Sequence, residues 1–190
     1  MYYDLYVVLD IFSRFVVAFT VAASEDSLLA KELLEQAMGV HGIPDVVHAD
    51  RGTSMTSKPV AQLLVDLGVT RSHSRPRVSN DNPYSESLFK TAKYTPTYPN
   101  YFTDIDHARA WAAHFVHWYN HRHHHSALEG HTPADVHHGT WREVHTHRVA
   151  TMQHLYATHP ERFTRPPSIR TPMAQVALNH PTTDERLQTG

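Results

Sequence analysis

Short apolar runs separated by turn signals mark the amino-terminal part of the chain. Two runs rich in β-branched and aromatic residues, 5–10 and 15–21, are joined by a Phe-Ser-Arg turn, which predicts an antiparallel hairpin. Two further runs, 46–49 and 69–72, also predict short strands. Helical spacing of the apolar residues between these strands predicts an interleaved α/β chain.

Four stretches carry apolar residues at the spacing of an amphipathic helix. The first begins near Glu25 and is predicted to end near Gly39, and the second covers 57–67. The third starts after Asn82, an N-cap residue type that is followed by Pro at the first helical position. The fourth covers 104–121, and its aromatic and small residues are predicted to belong to the core.

Two acidic residues stand at the ends of predicted elements. Asp50 closes the strand at 46–49, and ligands of open α/β sheets collect at the carboxyl ends of strands. Glu86 lies about one turn inside the helix that follows Asn82, with 35 residues between the two acids. Alone, Asp50 would be a turn residue and Glu86 a solvated helix acid. Spacing and context together predict a metal-dependent DNA-cutting site.

Several runs, in order and in register, resemble bacterial insertion-sequence transposases with a retroviral-integrase-type catalytic core, the integrase core domain of DDE recombinases. The runs are YVVLDIFSR at 6–14, HADRG at 48–52, DNPYSES at 81–87, WYN at 118–120, SAL at 126–128 and TPA at 132–134. Each string is weak alone, and their common order makes the resemblance specific. It covers residues 3–134, and the run PERF at 160–163 resembles the tail of some members.

This resemblance implies a ribonuclease-H-like α/β fold: a mixed sheet with flanking helices, the hairpin at one side and parallel strands at the other. In the family a further strand precedes the segment 5–10, pairs with it and with the Asp50 strand, and carries the first catalytic Asp. The chain begins at Met1, after that strand should have ended. We therefore expect a fold that lacks its first strand and is truncated at its amino-terminal end.

The resemblance also implies the chemistry. Family members cut and join DNA with two divalent cations held by three carboxylates. Asp50 and Glu86 match two of the three, so we expect both to be catalytic metal ligands. Mg²⁺ is the expected cofactor, with Mn²⁺ as a substitute, because hard cations take oxygen ligands. Asp4 and Asp10 are the nearby acids, and Asp10 matches a non-catalytic residue that supports the turn.

Composition narrows the class of protein. The chain has 190 residues, 41% of them apolar, and no Cys, which suits one domain with an appendage and excludes disulfides and thiolate metal sites. No apolar run approaches the roughly 18 residues of a membrane span, and no secretion signal is apparent. We expect a soluble protein of the bacterial cytoplasm with no membrane partner. The net charge of −2 argues against a general polyanion binder.

Basic residues are nevertheless concentrated beside the proposed metal site, where 71–93 carries five basic and two acidic side chains. Lys90 and Lys93 follow Glu86 by four and seven positions, on one helical face. The resemblance implies that lysines at these offsets contact DNA. The predicted DNA-binding residues are Arg75, Arg77, Asn82, Lys90 and Lys93. The alternative is that the lysines form a solvated face and the arginines only flank a loop.

Histidine is unusually abundant, with 18 residues in the chain and four within 121–125. His121 and His125 have the i, i+4 spacing of a helical metal pair. The resemblance implies a segment that binds no metal, so we expect no dedicated metal site there.

We predict an incomplete integrase-type core at 1–138, a helical extension at 139–159 and a Pro-rich extended or disordered tail at 160–190. The predicted function is that of the carboxyl-terminal part of a transposase, catalysing Mg²⁺-dependent DNA strand cleavage and transfer. Its expected partners are element-end and target DNA and further copies of itself or of intact transposase. The alternative is a catalytically dead remnant that only binds DNA or oligomerises. Either way, we expect the isolated chain to be inactive.

Overall fold

A computed structural model describes residues 2–50, 52–73, 82–174 and 176. They divide into two compact units. The first contains residues 2–11 and 16–115, and the second contains 12–15 together with the described residues from 116 onward. The four strands that the structure describes, and the predicted site residues that it describes, lie in the first unit.

The predicted hairpin is confirmed. Strand β1 (Asp4–Leu9) runs antiparallel to β2 (Val16–Ala22), with a shift of register between Val8 and Leu9. The side chains of β1 alternate between two apolar clusters, because successive residues of a strand point to opposite faces. Tyr6 and Val8 pack toward one cluster and Leu5 toward the other.

The parallel strands are confirmed as well. Strand β3 (Val46–Ala49) pairs in parallel with β4 (Thr70–His73). Helices α2 (Thr53–Thr56) and α3 (Lys58–Asp66) connect them, as a parallel connection needs a crossover. The described strands thus show the antiparallel and parallel pairings of the predicted mixed sheet, in two separate two-stranded ladders.

Helix α1 (Ser27–His41) starts where predicted but ends later. Asp26 is its N-cap and accepts a hydrogen bond from the Leu28 N–H at 2.7 Å. The helix continues two residues beyond the predicted end near Gly39, because a glycine inside a helix costs only about 1 kcal/mol and does not by itself stop it. The stop is Gly42, whose φ of 90° leaves the helical region.

Helices α1 and α3 form the main apolar core of the first unit. Their contacting residues, with Val69, are buried: Ala30, Leu34, Met38, Val60, Leu63 and Leu64. Tyr6 and Val8 of β1 and Val47 of β3 pack against this cluster. Both ladders therefore rest on the same pair of helices.

The opposite side of the hairpin is covered by α5 (Ile105–His121), as predicted. Its Ala108 and Ala112 are buried against Val21 of β2. Helix α4 (Pro83–Tyr94) precedes it and buries Leu88 and Ala92. The hairpin thus has helices on both faces, as expected of an α/β layer.

The second unit is built from turns and helices. A 3₁₀ helix (Ser126–Leu128) leads to α6 (Pro133–His137), which begins with a capping box formed by Thr132 and Asp135. Helix α7 (Trp141–Thr158) and a second 3₁₀ helix (Pro160–Arg162) follow. Of the predicted tail, 175 and 177–190 lie outside the described residues. No helix in the described chain is long and apolar enough to cross a membrane.

Candidate active site

Asp50 is exposed at the carboxyl end of β3, and its position is fixed on two sides. Its backbone oxygen accepts a hydrogen bond from Nδ1 of His73, at the end of β4, at 3.1 Å. Its Oδ1 accepts a hydrogen bond from the Gly52 N–H at 3.0 Å. The residue thus lies at the carboxyl end of the parallel ladder, where it was predicted to lie, with its side chain exposed.

Gly52 leaves room for two acidic side chains, those of Asp50 and Glu25, to lie close to its own backbone. A Cβ at this position would lie 3.0 Å from Asp50 Oδ1 and 3.8 Å from Glu25 Oε1. A contact of 3.0 Å is tighter than a methyl group normally tolerates. The two carboxylates consequently flank Gly52, which explains the glycine after Asp50-Arg51. Arg51 itself lies outside the described residues.

Glu25 is the residue that the sequence interpretation missed. Its Oε1 accepts hydrogen bonds from the Ser54 N–H at 2.9 Å and the Ser54 hydroxyl at 2.7 Å, and its Oε2 accepts one from the Thr53 hydroxyl at 2.6 Å. The Thr53 bond, followed by the Ser54 bonds, lowers the pKa of Glu25 to about 2. In sequence Glu25 signalled only a helix start, and no local pattern links it to Ser54.

Glu86 is exposed in the first turn of α4, where a negative charge is favoured by the helix dipole. Asn82 is the N-cap, as predicted, although its side chain makes no capping hydrogen bond. Lys90 and Lys93 are exposed on the same helix, which buries Leu88 and Ala92. Arg75 and Arg77, predicted to contact DNA, lie outside the described residues.

The described acids do not form a three-ligand cluster. Within 2–50, 52–73 and 82–174, no group of three or more His, Asp or Glu side chains stands close enough to hold a metal ion. Neither Asp4 nor Asp10 therefore completes such a group with Asp50 in the part of the chain that the structure describes. What the structure offers is two exposed carboxylates on rigid elements of one unit, Asp50 and Glu86.

The histidine-rich stretch packs against aromatic rings and backbone in the second unit. The His123 ring stacks on Tyr119 at 5.4 Å, and His124 Nδ1 donates to the Gly130 carbonyl oxygen at 2.9 Å. His125 pairs with His131 in an isolated antiparallel bridge. The His123 and His124 rings thus take part in local packing.

His131 provides a test of this packing through pH. It is fully buried, with Nε2 3.4 Å from Arg148 Nη1, and burial, followed by the Arg148 charge, lowers its pKa below the usual value. The unfolded chain therefore protonates His131 more readily than the folded chain, so stability should fall as the pH drops below about 6.5.

We expect the melting temperature to decrease between pH 7.5 and 5.5, and to decrease less steeply in His131→Phe. His147→Phe, at an exposed position of α7, should keep the pH dependence of the parent's melting temperature. The same pH dependence in His131→Phe would show that buried His131 does not cause the loss of stability.

Two sequence models of the integrase core domain match this chain, one over residues 1–79 and the other over residues 67–133. The chain belongs to the integrase core domain family. The family resemblance drawn from the sequence motifs is thereby confirmed. The matched ranges include Asp50 and Glu86.

Curated relatives of this integrase core chain are bacterial transposases. The transposase for insertion sequence element IS904 of Lactococcus lactis is 30% identical over 130 residues, 67% of this chain. The probable transposase for element IS1353 of Shigella flexneri is 29% identical over 136 residues, 69% of this chain. The matched part spans only 51% of the first relative and 26% of the second.

Solved structures with the same fold are retroviral integrases. The HTLV-2 integrase catalytic core domain, in complex with magnesium, matches 72% of this chain and 85% of its own, with a TM-score of 0.53 at 20% identity. A chain of the simian T-cell lymphotropic virus intasome in complex with PP2A regulatory subunit B56 gamma matches 72% of this chain and 48% of its own, with a TM-score of 0.55 at 22% identity. The predicted ribonuclease-H-like α/β fold is confirmed.

Proposed function

We propose that this chain is the catalytic part of a longer transposase, which cuts the ends of an insertion element and joins them to target DNA with the help of Mg²⁺. The observation that carries the proposal is the Asp50 carboxylate. It is exposed at the carboxyl end of a parallel strand, in a chain of the integrase core family; Gly52 donates its N–H to the carboxylate, and His73 holds the backbone oxygen of the same residue. The bond from Gly52 is also what a turn residue would make, so the metal-ligand role is favoured by the exposed carboxylate together with membership of the integrase core family.

The donor set fits a hard divalent cation. Asp50 and Glu86 offer carboxylate oxygens, and protein-bound Mg²⁺ commonly takes one or two carboxylates together with phosphate oxygens of the substrate. In the described part of the chain, the hydrogen bond from Gly52 engages only Oδ1 of Asp50. When bound, Mg²⁺, or Mn²⁺ in its place, would activate the attacking oxygen and neutralise charge at the phosphorus centre. We propose Asp50 and Glu86 as the residues that hold it.

The side chains would contribute binding and orientation. Phosphoryl transfer needs little covalent help from protein groups, so its catalysis is mainly positioning and electrostatic stabilisation. Asp50 is positioned by its strand and turn, and Glu86 by the first turn of α4. Both are exposed, which leaves room for a phosphodiester between protein and solvent.

DNA binding is the part of the proposal that rests on α4. Lys90 and Lys93 project from the same helix as Glu86 and are solvent-exposed, so both can reach phosphate oxygens near the reacting bond. We assign the same role to Asn82 at the start of this helix, and to Arg75 and Arg77 ahead of it.

We further propose that the working form is an oligomer, assembled from copies of this chain or with intact transposase, in the bacterial cytoplasm. Two element ends must be joined in one event, which favours two or more cores in one complex. The related HTLV-2 integrase core was determined in trimeric and dimeric forms.

The test of this function is titration of the 190-residue chain with Mn²⁺ and with duplex DNA. We expect binding of both, with Mn²⁺ affinity increased by DNA because phosphate oxygens complete its coordination. DNA binding without Mn²⁺ binding would instead support a catalytically dead remnant, and binding of neither would contradict the proposal.

Substitution of both α4 lysines tests the DNA contact. Lys90→Ala with Lys93→Ala should lower affinity evenly across sequences and flatten the logarithmic salt dependence by about two units, roughly one for each lost phosphate contact. Fluorescence anisotropy at several salt concentrations measures both quantities. Lys31→Ala with Lys58→Ala makes the same charge change on α1 and α3 and should leave the salt slope near that of the parent. Equal slopes in all three chains would assign Lys90 and Lys93 to a solvated face.

A further inference from the structure

Helix α2 begins three residues after Asp50 and lacks a capping side chain of its own. Its N-cap is Gly52, which has no side-chain acceptor for the free N–H groups of the first turn. A helix of four residues is also too short to be stable alone. Another element must therefore hold this turn in place.

Glu25 supplies the missing acceptor from the segment before α1. It takes the Ser54 N–H and the hydroxyl groups of Thr53 and Ser54, which are the first two residues of α2. All three distances are within 2.9 Å, as expected for bonds to a charged carboxylate. The start of α2 is thus held by a residue that lies 29 positions before Ser54 in the sequence.

The effect passes to Asp50 through Gly52. Gly52 donates its N–H to Asp50 Oδ1, and its carbonyl oxygen accepts a hydrogen bond from the Thr56 N–H at 3.1 Å. Gly52 therefore connects the carboxylate of Asp50 to the helix that Glu25 caps. If α2 shifts, the hydrogen bond that orients Asp50 shifts with it.

Glu25 is itself held by the sheet and by α1. The neighbouring Asp26 donates its backbone N–H to the Tyr6 hydroxyl at 2.8 Å, and that hydroxyl lies 3.4 Å from Ser54 Oγ. Asp26 is also the N-cap of α1. Strand β1, helix α1 and helix α2 meet at these contacts, so Glu25 acts from a rigid frame.

We propose that Glu25 is a positioning residue for the metal site: through Ser54 and Gly52 it holds the Asp50 carboxylate in its metal-binding orientation. The inference rests on the proposed function, in which Asp50 is a metal ligand. Glu25 does not itself need to touch the cation, because three donors already occupy its carboxylate oxygens. With a pKa of about 2 it remains an anion at any pH at which the protein would work.

Two measurements on the full 190-residue chain test this role. Glu25→Gln should make the Gly52 and Ser54 amides exchange hydrogen about 10-fold faster or more, without loss of the fold, because their local anchor is weakened. It should also lower Mn²⁺ affinity about 10-fold, as loss of an orienting partner does at metal sites. Glu32→Gln, an exposed residue of α1 with the same charge change, should alter neither. If Glu25→Gln does not fold, Thr53→Val removes only the hydroxyl donor at 2.6 Å and should act in the same direction.

A double-mutant comparison separates positioning from a general charge effect. In an Asp50→Asn background, Glu25→Gln should change the remaining Mn²⁺ affinity less than about 2-fold, whereas in a Glu86→Gln background the 10-fold loss should persist. Water-proton relaxation by Mn²⁺ measures such weak binding. Equal losses in both backgrounds, or unchanged amide exchange in Glu25→Gln, would overturn the inference. If the parent chain binds no Mn²⁺, the proposed function fails while amide exchange still decides whether Glu25 anchors the turn.

Discussion

Replacing Asp50 by Asn is expected to weaken Mn²⁺ binding on the order of 100-fold, since loss of a direct ligand should cost at least as much as loss of an orienting partner. The substitution removes an anionic oxygen and keeps the shape of the side chain, including an oxygen that can accept the Gly52 N–H. Glu86→Gln should have an effect of the same sign for the same reason. Calorimetric titration with Mn²⁺, repeated with Mg²⁺, measures both.

Asp45→Asn is the matched control for this experiment. Asp45 is exposed just before β3, whereas Asp50 follows the other end of the same strand. A long-range effect of charge would appear in both variants, and loss of a ligand only in Asp50→Asn. Parent-like metal binding by Asp50→Asn and Glu86→Gln would show that the site has been assigned to the wrong residues.

The strands and the hairpin could be predicted because period and turn chemistry act locally. The β-branched runs around the Phe-Ser-Arg turn specify the hairpin, whereas the parallel pairing was implied by the family resemblance; the connection between 46–49 and 69–72 is long enough to permit it. The buried side of α5 followed from helical spacing for the same reason. Elements whose burial and hydrogen bonds depend on residues close by in the sequence can be predicted from the sequence.

The support of Asp50 could not be predicted, because it depends on contacts between distant segments. Glu25 and Ser54, or Asp50 and His73, come together only once the strands and helices have packed. A capping carboxylate that acts on another helix leaves no periodic pattern. The end of α1 was also misplaced, by two residues, because Gly39 keeps the helical conformation and Gly42 is the glycine whose φ leaves it.

Because the described strands form two separate ladders, β1 and β3 each have an edge that no described strand occupies. In the described chain, β1 pairs only with β2, and β3 only with β4. Both strands nevertheless pack on the cluster formed by α1 and α3, through Tyr6, Val8 and Val47. Unpaired strand edges readily accept another strand. In the resembled family, the strand that precedes 5–10 pairs with both neighbours and would join the two ladders into one mixed sheet.

A chain extended at its amino end by a family-like strand of about 15 residues, carrying one Asp, is therefore expected to melt roughly 10 °C higher than the 190-residue chain. The added strand would pair with β1 and β3 at the edges that no described strand occupies, and each net hydrogen bond contributes about 0.5 to 1.5 kcal/mol. Its Asp would also supply a third carboxylate beside Asp50 and Glu86. Only the extended chain should then carry out strand transfer with Mg²⁺.

Thermal melting and a plasmid strand-transfer assay on three chains separate these two effects. The extended chain should gain both stability and activity, whereas the same extension with Asn in place of its Asp should keep the gain in melting temperature and lose the activity. Backbone pairing does not need the carboxylate, and metal binding does. An extension that leaves the melting temperature unchanged would mean that the added strand does not enter the sheet. Equal strand transfer by the unextended chain would instead mean that another acid of this chain, Asp4, Asp10 or Glu25, acts as the third ligand.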